Sequence, residues 1–134
     1  MDYQITCKNK ARKLFLLALM PSILAQLGLT HRPGNVYVVV EKTTEEGETH
    51  TAGAGCYVVL LNTGRSVVDT AVTLCHEMVH VKQFLTGKLN CKKNMGSTWC
   101  GKRYSRSTSY MDQPWELQAF REQEVIFRRA FDTL

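Results

Sequence analysis

The sequence predicts an α+β domain: an N-terminal helix, a small antiparallel sheet, a central helix and a C-terminal helix. Three observations carry this reading. The 134 residues suffice for one modest hydrophobic core and not for a second. β-Branched and aromatic residues gather between 35 and 62, with a polar turn between two runs of them. The resulting order, helix–strand–strand–helix–helix, is that of an α+β protein.

Residues 9–28 read as the first helix, bent or delayed by Pro21 and stopped by Gly28. Its segment LFLLALMPSILAQ follows Lys8, Lys10, Arg12 and Lys13 and so has the outline of a secretory signal. Ile23 spoils an A-x-A cleavage pattern ending at Ala25. Leu14, Leu17 and Ala18, then Met20 or Pro21, fit a helix packed on a core, and packing is the reading adopted. NVYVVVEK (35–42) reads as a strand, TTEEGE (43–48) as a turn around Gly47, and THTAGAGCYVVLLN (49–62) as the returning strand. Gly53 and Gly55 in that return predict a bulge or the close approach of another backbone.

A long helix is expected over 66–86, closed by Gly87. Residues 88–111 carry Lys88, Lys92, Lys93, Lys102, Arg103 and Arg106 without an acidic residue, and read as a loop with a short hairpin through TWCGKRY. A last helix begins near Asp112 and Pro114, with Asp112 the N-cap candidate, and runs to about 131.

The net charge of +5 favours acidic partners without requiring them. The five cysteines are odd in number and show no CxxC pair, which points to a reduced intracellular protein, with a Cys91–Cys100 bridge as the alternative. No apolar run is long enough to span a membrane, so no membrane role is expected.

The stretch TLCHEMVHVKQF places His76 and His80 four residues apart, one turn along the same helix face. Both imidazoles can therefore reach one ion. Glu77 is rotated about 100° from His76, so it stands beside such an ion and can take a proton from water there. The competing reading is a buried helix whose histidines hydrogen-bond to neighbours. Apolar residues on both faces (Val72 and Val79 beside the histidines; Leu74, Val81 and Leu85 opposite) favour the metal, since a buried ionisable group needs a partner.

A third ligand would leave a fourth position open for water. On the last helix Glu116 shares a side with Ala119, Phe120, Gln123, Phe127, Ala130 and Phe131, the apolar stripe that should face the core. A cation there would relieve the cost of burying its charge, and a salt bridge to Arg12 or Arg65 is the alternative. His31 and His50 have no partner at ligand spacing and read as surface residues.

HEMVH at 76–80 followed by PWELQA at 114–119 resembles the gluzincin arrangement, in which two helix histidines are joined by a glutamate from a later helix in an E-x-x-A context. Trp99, Gly101 and Tyr104, in a W-x-G-x-x-Y segment, further resemble SprT-like and small phage-encoded HExxH proteins; the likeness covers about 35–131. It implies one minimal zincin-like domain over 1–134, a zinc ion on His76, His80 and Glu116, and a metallopeptidase in which Glu77 accepts a proton from water. It also implies a cytoplasmic setting, that of the host if the chain is phage-encoded. An extended polypeptide substrate would add as a strand to an exposed strand beside the metal helix, the segment here being AGCYVVLLN (54–62). No cysteine-rich ribbon follows, and Gln118 stands where many relatives carry a glutamate.

Tyr104 and Tyr110 are the candidates for stabilising a developing oxyanion, because both precede Glu116 in the same loop. Two other functions compete with the peptidase. One is a non-catalytic binding protein that uses the metal only to tie helices together. The other is nucleic-acid contact through the basic 88–106 loop, where Trp99 and Tyr104 could stack on bases.

Overall fold

The computed structural model describes residues 1–43, 45–92 and 95–134. The chain forms β1 (Asp2–Cys7), α1 (Lys10–Gln26), β2 (Asn35–Glu41), β3 (Gly47–Thr51), β4 (Cys56–Asn62) and α2 (Val67–Leu85). Then follow β5 (Leu89–Lys92), β6 (Gly96–Trp99), β7 (Lys102–Tyr104) and α3 (Pro114–Phe131), with a 3-10 turn at Tyr110–Asp112. The α+β class is as expected. The sheet is not.

The main sheet has strand order β1-β2-β4-β3, and only β3 runs antiparallel to its neighbour; β1, β2 and β4 are parallel. The expected hairpin between 35–42 and 49–62 is therefore replaced. The return divides at Gly53 and Gly55, both at positive φ, into a short edge strand β3 and the central strand β4. Register places Val36, Val38 and Val40 opposite Tyr57, Val59 and Leu61, and all six are buried. The opposite face is less covered, with Tyr37 38% exposed. The close approach expected at this glycine pair is real: a Cβ on Gly34 would lie 2.7 Å from the Gly55 carbonyl oxygen.

β1 was not expected. It offers one fully buried side chain, Ile5, and its pairing with β2 spans the whole of α1, so short-range pattern carries little trace of it. α1 is capped by Asn9, whose side chain accepts from the Arg12 amide, and it continues through Pro21. Its core face is Leu16, Leu19, Met20, Ile23 and Leu24, whereas Leu14 is 57% exposed and Ala18 is also exposed. Of the face read from the sequence, Met20 lies in the core and Leu17 packs against it, while Leu14 and Ala18 turn outward. Among the described residues, no helix is long and apolar enough to cross a membrane.

α2 matches its expected span, with Ser66 capping the Asp69 amide and Gly87 at φ 75 beyond its end. It is buried on all sides from Leu74 to Val81. The segment expected as a loop instead folds as a three-stranded antiparallel sheet, β5-β6-β7, whose β6–β7 turn is the predicted TWCGKRY hairpin. Lys93 lies outside the described residues. Cys91 and Cys100 are free and exposed, so no bridge joins them. Gln113, not Asp112, occupies the N-cap of α3; Asp112 instead accepts a hydrogen bond from Ser109 at 2.6 Å.

Candidate metal centre

α2 and α3 pack side by side, and three side chains converge between them. His76 and His80 come from the middle of α2, Glu116 from the first turn of α3, and the three are only 6%, 6% and 8% exposed. Glu116 Oε2 lies 3.1 Å from His76 Nε2, and Glu116 Oε1 lies 2.6 Å from His80 Nε2. Among the described residues this is the group of His, Cys, Asp and Glu side chains placed to share one ion, its ligand atoms all within 4.8 Å of one another. Cys75, next in sequence, points into the core, where burial pushes its thiol up to about 12.

The other nitrogen of each ring tests whether a cation fits. His76 Nδ1 is 2.8 Å from Gln123 Oε1, and His80 Nδ1 is 2.7 Å from Gln83 Oε1. An amide oxygen only accepts, so both Nδ1 atoms carry hydrogen and both Nε2 atoms of the neutral rings turn lone pairs toward a carboxylate. Lone pairs facing a carboxylate repel unless a proton or a cation lies between. A metal ion meets all three donors at once, with neutral imidazole and carboxylate as its ordinary ligands. Where a proton rather than a cation lies between, burial pushes the Glu116 carboxyl up, but hydrogen bonds from His76 and His80, the charge of His80 and the Tyr110 hydroxyl outweigh it and hold the group well below the usual carboxylate range. Burial alone lowers His80; the adjoining Glu116 and Glu77 reverse this and raise it.

Glu77 stands beside the triad, as its rotation on the helix requires. Its Oε2 is 4.0 Å from His76 Nε2, and its Oε1 accepts a 2.7 Å hydrogen bond from Thr49 of β3. Burial raises its pKa, opposed by both histidines and Thr49. β3 approaches so closely here because residue 47 is glycine. A Cβ there would lie 2.6 Å from Thr73 Cγ2 and 3.2 Å from Glu77 Cγ.

The triad opens into a cleft of about 1000 Å³ whose walls come from β3 and α3 and whose floor is α2. Phe120 and Phe131, assigned to the core from the sequence, are 45% and 50% exposed and line this cleft instead. Ala119, Ile126 and Ala130 form the true core face of α3. The segment expected to receive a substrate strand, 54–62, is also misplaced. It is largely β4, already paired on both edges, and the free edge beside α2 belongs to β3.

Tyr110 reaches the site. It lines the cleft, and its hydroxyl is raised by burial and by the Glu116 carboxylate. Tyr104 does not line the cleft; its ring packs edge-on against Trp115, centroids 5.5 Å apart, with Lys102 over it. Arg12 and Arg65 do not pair with Glu116: Arg12 donates to the Arg65 carbonyl and Thr70, and Arg65 pairs with Glu46 and Asp69. His31 and His50 are exposed, as expected.

In the small sheet, register places Trp99 with Leu89 and Lys102, and Tyr104 with Ser97 and Cys91, all on one face. Arg103, Thr98 and Asn90 take the opposite face. Arg103 therefore points away from the aromatics, whereas Lys102 shares their face and lies over the Tyr104 ring.

Sequence reasoning missed Thr49, Gln83 and a role for Gln123. Gln83 follows His80 by three residues and Gln123 sits in the stripe of Glu116, so a polar residue on each ligand-bearing face was the available signal. No protein-family model, curated protein or solved structure matches the chain.

Proposed function

We propose that this protein is a zinc-dependent metallopeptidase. The observation that carries the reading is Glu77: a buried carboxylate beside three convergent ligands, held by Thr49, facing the same cleft, and not itself one of the ligands. A metal used only to tie helices has no need of it.

His76, His80 and Glu116 would hold the ion, and two imidazoles with one carboxylate form a donor set suited to zinc. When bound, zinc acidifies water and polarises a carbonyl group. Glu77 then accepts the water proton and passes it to the departing amine; its raised proton affinity suits it to both transfers. Tyr110, its hydroxyl kept neutral, donates a hydrogen bond to the oxygen on which negative charge develops. The substrate is an extended polypeptide, added as a strand to the free edge of β3, with its side chains against Phe120 and Phe131.

Glu77→Gln tests this. The amide fills the same space and can still accept from Thr49, so zinc content and fold should remain. Hydrolysis of an unfolded protein, measured against a chelator control, should fall by at least 100-fold, since general-base catalysis is worth about that or more. Undiminished cleavage by the variant, or zinc-loaded wild type that cleaves no polypeptide, would reject the peptidase.

A further inference from the structure

We propose that Gln83 is a positioning residue that locks the first turn of α3 to the orientation of His80, so that two metal ligands from different helices are set by one side chain. The proposal rests on the metal-centre reading of His76, His80 and Glu116.

Gln83 is 2% exposed and lies one turn beyond His80 on α2. Its Nε2 donates to the Trp115 carbonyl at 3.0 Å and to Gln118 Oε1 at 2.8 Å. A backbone carbonyl can only accept, so the nitrogen of the amide must face Trp115 and its oxygen must face His80. That oxygen, 2.7 Å from His80 Nδ1, fixes the tautomer and leaves Nε2 free toward the triad. Trp115 and Gln118 flank Glu116 in the chain. The same amide that aims His80 therefore holds the backbone that carries Glu116.

The role needs a donor and an acceptor on one short side chain. Glutamate has only the acceptor when ionised, alanine has neither. Gln123 is different in kind, since it meets His76 through its oxygen. Gln118 also gains a purpose: where a glutamate would present two acceptors to Gln83, its amide keeps the link among neutral groups.

The test compares Gln83→Ala, Gln83→Glu and Gln118→Ala with wild type by zinc competition against a chromophoric chelator and by the visible spectrum of the cobalt-substituted protein. Gln83→Ala should weaken zinc by roughly 10–100-fold, the usual effect of losing a partner behind a ligand. Gln83→Glu decides the matter. If Gln83 served His80 alone, a carboxylate would accept from Nδ1 at least as well, and zinc would bind as tightly or more so. Under the proposal the carboxylate meets the Trp115 carbonyl, which can only accept and cannot turn away as the Gln118 amide can; the turn bearing Glu116 is pushed away, and affinity falls by about 10-fold or more with an altered cobalt spectrum. Wild-type affinity and spectrum in Gln83→Glu would overturn the proposal. Should Gln83→Ala or Gln83→Glu not fold, the part-buried Gln118→Ala carries the test, with several-fold weaker zinc expected and unchanged zinc overturning it. Wild type that binds no zinc would remove the metal centre itself, a separate and recognisable failure.

Discussion

Replacing Glu116 by alanine tests the centre through folding stability. Glu116 contributes one of three ligand side chains, and each of its oxygens faces a different histidine across a sequence separation of 40 and 36 residues respectively, 116 − 76 and 116 − 80. Metal binding therefore ties α3 to α2 and adds to the free energy of folding. With free zinc at 100 times its dissociation constant, the stabilisation is about 2.7 kcal/mol. For a domain of this length about 4 °C of melting temperature accompanies each kcal/mol, giving a rise of roughly 10 °C. Without Glu116 the remaining ligands both lie on α2, and the tie between helices is gone. If affinity drops 100-fold, the same zinc gives only about 0.4 kcal/mol, a shift of roughly 2 °C. Thermal unfolding followed by circular dichroism, with each protein referred to its own chelator-treated state, measures both numbers. The reasoning fails if zinc raises the melting temperature of Glu116→Ala as much as that of wild type, since the third ligand would then be elsewhere.

Two further outcomes follow from the packing around the site and in the sheet. Gly47→Ala should destabilise the fold by about 1–3 kcal/mol in denaturant unfolding, because its Cβ overlaps Thr73 at 2.6 Å. Zinc affinity should be unchanged while hydrolysis falls, since β3 and Thr49 move off Glu77; normal activity would show that the Thr49 contact is dispensable. Tyr57 is buried, and burial raises its hydroxyl above the ordinary 10.0, with Arg32 opposing. The neutral form is thus favoured by folding, and its contribution is full below about pH 10 and is lost as pH rises through the higher folded value. Tyr57→Phe should flatten that alkaline decline in stability, and an unaltered decline would assign it to other groups.

Much of the centre was legible in the chain because it depends on short-range geometry. His76 and His80 share a face through the helical repeat alone, and the same repeat turns Glu77 aside from them. Glu116 was legible as a charge within an apolar stripe, a pattern that demands a partner. α2 was bounded correctly because Ser66 and Gly87 satisfy or end the helix through local backbone chemistry.

Other features were decided by tertiary packing. Periodicity marks Val36, Val38 and Val40 as one face of a strand but does not say which strand lies beside it. β1, far away across α1, took one edge of β2, while β4 took the other in parallel, and β3 was left on the rim. Phe120 and Phe131 fall on an apolar stripe in any helical projection. Whether that stripe meets the core or an open cleft depends on how α3 lies against α2. For the same reason Tyr104 and Tyr110 were indistinguishable as loop residues until the small sheet turned one ring onto Trp115 and left the other beside Glu116. By itself the sequence determined which side chains could act together along one helix. The folded chain decided which helices, strands and amides would meet them, because those contacts join residues whose separation in sequence leaves no periodic trace.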